Sequence, residues 1–485
     1  MKRKFIKNLF LLIILNLLIK PFWIFGIDRS VQNTVGSGEY GFYFSLLGFT
    51  FLFNILLDFG ITNFNNRSIS QDQTLFKGYF SNIVVVKFLL AVIYGIISFS
   101  VALMMGYEKR QLELLIVLIF NQFLSSFILY LRSNISGMQF YTTDSLLSVL
   151  DRFIMIILCS IAIWGHILGK PFRIEWFVYL QTFSYMLAVI VIGSVIFIKS
   201  GHFVFSFNPT FTFQIIKQTI PFAILGLLMS IYNRTDSVLL ERLLPDGQAQ
   251  AGIYAQSYRI LDAFSNFSLL FASLLLPMFA NLIGSKEDIR PLLKTSFSLL
   301  FVACIAVSLS CMTFSKPIIG TLYHEGHDDS VKVFAILVLS FIPVSINYIF
   351  GTLLTANGNL KLLNYAALGA VCLNIMLNLV LIPLHKAIGA AIANLVTQTL
   401  MTLAQIIICF KIWKFNIRKL EFIRYSLFTL IAIAIIFLFS LFKDGWLIRF
   451  SATFVSICFL GLLTGILPIT RLLEIVRLQL KGVNP

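Results

Sequence analysis

An apolar run of about 20 residues, the length that crosses a hydrocarbon core, recurs along the whole sequence and leaves few folds open to it. Such runs cover 6–27, 41–61, 80–105, 112–131, 146–167, 176–198, 215–240, 252–276, 292–312, 332–355, 362–384, 388–411, 422–442 and 446–468. They predict an all-α integral membrane fold of about fourteen transmembrane helices. Loops between them are mostly under about 15 residues, which leaves no extramembrane domain for separate chemistry. Composition agrees: 58% of the 485 residues are hydrophobic and 12% charged, against roughly 25% charged in soluble domains.

The formal net charge of +16 would suggest a nucleic-acid partner on a soluble chain. Here the positive-inside rule explains it, and no nucleic acid is expected. With the N-terminus in the cytoplasm, ~21 basic residues fall on that side against ~10 outside. They include Lys2, Arg3, Lys4, Lys7, the cluster Lys411, Lys414, Arg418, Lys419 and Arg424, and Arg471, Arg477 and Lys481. Both termini are therefore expected in the cytoplasm. The start, MKRKFIKNLFLLIILNLLIKPFWIF, has the basic and apolar parts of a signal peptide without a small-residue cleavage site, so it predicts a retained first span.

Chemistry-bearing motifs are few. Cys159, Cys304, Cys311, Cys372, Cys409 and Cys458 lie in apolar runs without a CxxC, which predicts neither disulfide nor metal site. The segment from Tyr323 through His324, Glu325 and His327 to Asp329 fits a solvated polar loop better than a metal centre. No P-loop or GxSxG occurs, so neither an ATPase, a cofactor nor an enzymatic activity is expected.

The chain also repeats. Gly41-Phe42-Tyr43, entering the second run, matches Gly252-Ile253-Tyr254, entering the eighth. The offset of 211 lays 8–43 over 219–254 without a gap. Two six-helix bundles, 1–200 and 211–411, followed by an extra helix pair and tail at 420–485, are the economical division. An even number of spans in each gives parallel repeats.

Ionisable groups inside spans cost about 2.5–3.5 kcal/mol each at the bilayer centre, and so mark cavities or partners. The deep cations are Lys20, Lys87, Arg152, Arg234 and Arg259; the acids are Asp58, Asp236 and Asp262, with Asp151 beside Arg152. Helical spacing aligns Asn16 with Lys20, Thr50 with Asn54 and Asp58, Ser230 with Asn233, Arg234 and Ser237, Arg259 with Asp262 and Asn266, and Asn394 with Gln398 and Gln405. Polar stripes opposite phenylalanine-rich faces suit a hydrated central cavity. Plainer roles stand beside this one. Lys20 and Lys87 can snorkel to an interface, each arginine can neutralise a neighbouring aspartate, and amide stripes can be interhelical glue.

Several segments resemble the bacterial polysaccharide-biosynthesis, or O-antigen, flippases of the multidrug, oligosaccharidyl-lipid and polysaccharide exporter superfamily. They are Gly38 to Tyr43 running on to Leu57-Asp58-Phe59-Gly60-Ile61-Thr62-Asn63, then Pro221-Phe222, Tyr232-Asn233-Arg234-Thr235-Asp236 and Gly252 to Arg259. Leu353 to Asn359, Asn374 to Asn378 with Leu381-Ile382-Pro383, and Gly389-Ala390-Ala391 continue the likeness. The resemblance implies two six-helix bundles in a V around a central cavity, plus a C-terminal pair. It implies transfer of undecaprenyl-pyrophosphate-linked oligosaccharide from the inner to the outer leaflet of the bacterial cytoplasmic membrane by alternating access. The lipid-linked glycan, membrane lipids and polysaccharide polymerase machinery are then the expected partners.

A pyrophosphate needs cations at membrane depth, and Arg suits it through its donor fork. Arg234 and Arg259 are the first candidates for the headgroup, with Lys20, Lys87 and Arg152 supporting and Asn233 and Asn266 toward sugars. Asp58, Asp236 and Asp262 are candidates for ion coupling. Two other readings remain: a drug/cation antiporter of the same superfamily, which would be expected to carry lone acids, and an intramembrane polymerase or ligase, for which these loops are short.

Overall fold

The computed structural model describes residues 14–165, 171–200, 209–326, 328–415, 419–442 and 444–467. Among them every regular element is helical. The chain divides into two compact units, Met1–Gly252 and Ile253–Pro485.

In the first unit a helix over 14–22 passes into a π-helical stretch, Trp23–Asp28, and then α1 (Arg29–Val35). There follow α2 (Ser37–Leu52), a 3₁₀ turn (Asn54–Leu57), α3 (Ile61–Gln71), α4 (Phe76–Met104) and α5 (Lys109–Gly137). Next come α6 (Tyr141–Leu147), α7 (Leu150–Trp164), α8 (Ile174–Ser200), α9 (Pro209–Leu243) and the first turns of α10 (Gly247–Gly284). The second unit holds the rest of α10, then α11 (Arg290–Thr313), α12 (Ser315–Leu322), α13 (Asp328–Leu339), α14 (Phe341–Ala356), α15 (Leu360–Trp413), α16 (Lys419–Ser440) and α17 (Trp446–Leu463).

Among the described residues ten helices are long and apolar enough to cross a membrane, or eleven with one bent pair taken as a span. Their faces show why. On α4, Leu89, Val92, Ile93 and Ile96 are exposed, a stripe that only lipid can cover, while Ile83, Val86, Leu90 and Tyr94 are buried. The 54 residues of α15 would span about 80 Å if straight, far beyond a bilayer. The helix is broken at Lys386, whose backbone is left-handed at φ 51° and ψ −133°. The two expected spans, 362–384 and 388–411, fall on either side of that break. The expected first span begins outside the described residues.

The second span differs from expectation. The sequence suggested 41–61 with a loop after it; instead α2 ends at Leu52, the chain bends by 57°, and helix continues to Gln71. The polar sequence of α3 hides a buried stripe of Ile61, Asn65 and Ile69. Asn65 donates to Ser133 Oγ and Asn134 Oδ1 at 2.9 Å, and those bonds hold α3 on α5.

The repeated motif meets itself. A methyl group on Gly41 would collide with the carbonyl of Gln248, and one on Gly252 with the carbonyl of Ser37. Each glycine thus faces the carbonyl four residues before the other, the reciprocity an offset of 211 requires. Gly48 lies against Ser237 in the same way, so α2 and α9 approach through small residues.

Ends that alternate crossing should bring together are together. At the starts of α2, α5 and α8, Arg110 makes paired bonds to Glu39 (2.9 and 2.6 Å) and bonds to Glu175 (3.0 and 2.7 Å). In the second unit Lys294 pairs with Glu421, and Ser298 bonds Tyr425 at 2.7 Å. Phe428, Ala432 and Ile457 of α16 and α17 pack on Val302, Ile305 and Ala306 of α11.

Candidate functional site

The expected cations fall into three settings. In the first unit, Lys20 lies within electrostatic reach of Arg152, Asp151 and Arg132. The stripe that carries it is anchored by Asn16, whose amide donates to Ser148 Oγ at 3.2 Å. Arg132 pairs with Asp144 at 2.9 Å, and Arg152 lies 3.5 Å from Asp151 with its guanidinium over Trp23 and Tyr185. Three cations thus share a neighbourhood with two carboxylates. Lys20 is the one for which no carboxylate within ion-pair distance occurs among the described residues. A diffuse positive surplus at membrane depth is electrostatically suited to an anion.

Lys87 sits differently. Its side chain is 1% exposed and its ammonium pairs with Asp58, donating also to the Leu57 carbonyl at 3.0 Å and Ser126 Oγ at 3.2 Å. Asp58 accepts from Thr62 Oγ1 and from the backbone of Gly60 (3.1 Å) and Thr62 (3.2 Å). The lysine therefore does not snorkel; it closes the break in the second span. Losing one member of such a pair costs about 3–5 kcal/mol, because the other charge is left uncompensated.

Arg234 is half-buried in α9 with its guanidinium 4.8 Å from the Phe51 ring centroid, and Asp236, two residues on and therefore toward the opposite side of the helix, is fully buried. Asn233 beside them is half-buried. In the second unit, Arg259, Asp262 and Asn266 are all half-buried on α10, and the Asn266 amide donates to the Asp262 carbonyl at 2.8 Å. Arg234 and Arg259 belong to different units. In α15, Asn394, Gln398 and Gln405 are buried; Gln405 lies against Gly351 of α14, and Thr402 donates to the Pro343 carbonyl at 2.8 Å. Among the described residues no group of three His, Cys, Asp or Glu gathers for a metal. His324 is exposed, and His327 lies outside the described residues.

Two charged groups escaped sequence reasoning. Asp28, one residue past the first apolar run, is 2% exposed and accepts from Tyr40 Oη at 2.7 Å. It ends the π-helical stretch, a distortion frequent at functional sites. Arg132 lies one residue past the expected fourth span, yet α5 runs on to Gly137. In both cases the apolar run stops before the helix does.

Comparison with known proteins agrees with this architecture. The family model described as polysaccharide biosynthesis protein matches residues 5–283, and that described as lipid II flippase MurJ matches 186–456. A solved structure of the lipid II flippase MurJ, in an inward closed conformation, superposes with TM-score 0.73 at 14% identity, covering 94% of this chain and 99% of that one. An inward-facing multidrug-resistance MATE transporter of the MOP superfamily gives 0.60 at 16% identity, covering 81% and 96%. An uncharacterized membrane protein of Methanocaldococcus jannaschii is 25% identical over 191 residues, 39% of this chain, and the chain matches less than half, 44%, of that relative's length. The helices above are those of a multi-pass membrane protein. With each family model covering more than half of the sequence, the chain belongs to the polysaccharide-biosynthesis and MurJ-type flippase family.

Proposed function

We propose that this chain flips a polyprenyl-diphosphate-linked oligosaccharide from the inner to the outer leaflet of the cytoplasmic membrane by alternating access, without making or breaking a covalent bond. The undecaprenyl carrier of surface-polysaccharide pathways is the substrate class intended, with both termini cytoplasmic and a polysaccharide polymerase acting downstream. The observation that carries the reading is Lys20. It is a half-buried cation of the expected first span, with Arg132 and Arg152 nearby and no carboxylate within ion-pair distance among the described residues. Such a surplus is costly in an empty bilayer and is offset when a diphosphate arrives. The polyprenyl tail needs no site, because it stays in lipid.

In this reading Arg234 and Arg259 supply planar donor forks to phosphate oxygens, Arg152 adds charge, and Asn233 and Asn266 meet sugar hydroxyls. Asp236 and Asp262 are the candidates for ion coupling; Asp58 is engaged by Lys87. A drug/cation antiporter would be served by surplus acid, which is the opposite of the balance around Lys20.

The test is glycan-export complementation at matched membrane abundance. Arg234→Ala and Arg259→Ala should each abolish export, the Lys variants should restore part of it, and Glu should be worse than Ala. Recovery in Arg234→Ala/Asp236→Ala or Arg259→Ala/Asp262→Ala would show that the arginine serves only to neutralise its neighbour, and would remove it from the headgroup site.

A further inference from the structure

The break in the second span is built like an ion site. Between Leu52 and Ile61 the backbone leaves the helix: Asn54–Leu57 is a 3₁₀ turn, and Phe59 (φ 46°) and Gly60 (φ 80°) are left-handed. Such a break leaves carbonyls and N–H groups without helical partners, which a membrane protein must satisfy locally. Here the N–H groups of Gly60 and Thr62 turn to Asp58. The oxygens converge instead on one point, the Lys87 ammonium. It meets the Leu57 carbonyl (3.0 Å), the Asp58 carboxylate, Ser126 Oγ (3.2 Å) and Thr62 Oγ1 (3.4 Å).

Two details distinguish this from an ordinary ion pair. An ammonium carries three protons, whereas four oxygens surround this one. Carbonyl, carboxylate and hydroxyl oxygens at an unwound helix are the hard donor set that transporters present to small cations. The cage also has an opening: the Asp58 side chain is 27% exposed although Lys87 is 1% exposed. We propose that the break in the second span is a monovalent-cation site permanently occupied by this chain's own Lys87 ammonium, and that removing the lysine opens it to a free ammonium-sized cation. The native protein then needs no dissolved ion at this position. The proposal does not depend on what the chain transports.

The test is chemical rescue of full-length Lys87→Ala, purified and melted in ammonium, methylammonium, potassium or tetramethylammonium chloride at equal ionic strength. Ammonium or methylammonium should raise its midpoint by about 2 °C or more over tetramethylammonium, which is too large for the cage. Wild type and Lys87→Ala/Asp58→Asn should show no such difference. An equal response of Lys87→Ala to all four salts, or an unchanged ammonium response in the double variant, overturns the proposal. If Lys87→Ala does not accumulate in cells, insertion yield during cell-free synthesis into nanodiscs is read instead. A yield restored by ammonium for Lys87→Ala and not for the double variant supports the site, and equal yields in ammonium and tetramethylammonium overturn it.

Discussion

Lys20 and Lys87 are both lysines on membrane-depth helices, and sequence alone gave them the same alternatives. Their surroundings separate them. Lys87 is saturated by Asp58, Leu57 and Ser126, whereas Lys20 has two arginines and one shared aspartate within reach. The consequences of substitution should separate as well. Lys87→Met is expected to cost about 3–5 kcal/mol in denaturation from detergent, and Lys87→Met/Asp58→Asn to recover most of it, because the cost is the stranded carboxylate. Lys20→Ala should leave the melting midpoint within about 1 °C of wild type while export falls at least about tenfold, corresponding to one lost charged hydrogen bond. Lys20→Arg should retain export. A Lys20→Ala protein that exports normally would remove Lys20 from the site. These pairings were invisible in the sequence for a simple reason: helical periodicity relates residues three and four apart, and Lys87 meets a carboxylate 29 positions away.

Elements were legible where apolar runs were uniform and obscure where the backbone breaks. The exposed and buried stripes of α4 follow directly from period 3.6, and the sequence located that span to within a few residues. The bend after Leu52 did not announce itself, because Asn54, Asp58 and Gly60 look like an ordinary polar face until the left-handed Phe59 and Gly60 redirect the chain. α3 went unseen because Asn63, Asn65, Asn66 and Arg67 outweigh its buried Ile61 and Ile69. The glycine motif, by contrast, was read only as a repeat and turns out to be a contact. Gly41→Ala or Gly252→Ala would drive a methyl group into backbone that cannot rotate away. Each should therefore destabilise by about 1–3 kcal/mol, or force α2 and α10 apart. Gly38→Ala, in the same helix with open space at its Cβ, is the control and should be neutral. Equal melting midpoints for Gly41→Ala and Gly38→Ala would contradict the close crossing.

For the whole molecule, the membrane fold was the most legible property, since no other solvent accommodates so many apolar runs. The extra helix pair shows how far that legibility goes. The repeat argument sets 420–485 apart as an appendage, and in the structure α16 and α17 pack on α11 through Phe428, Ala432 and Ile457. That contact is mostly apolar, with only the exposed Lys294–Glu421 pair and the Ser298–Tyr425 hydrogen bond beside it among the described residues, so lipid and water can replace it at modest cost. A chain ended after Phe410 should still insert, with reduced yield, and its absence from membranes would contradict the division. Reporter fusions at either terminus should report the cytoplasm.

If buried cations carry a diphosphate-linked glycan across the bilayer, its transfer between leaflets depends on them. The most direct measurement is flipping itself: purified protein in proteoliposomes, a fluorescent polyprenyl-diphosphate oligosaccharide, and an impermeant quencher that reads the leaflet. Wild type should equilibrate the probe between leaflets, Lys20→Ala should slow it at least about tenfold, and Lys20→Glu should abolish it. Transfer by Lys20→Glu at the wild-type rate, or no transfer by wild type while a cationic dye is exported, would contradict the account.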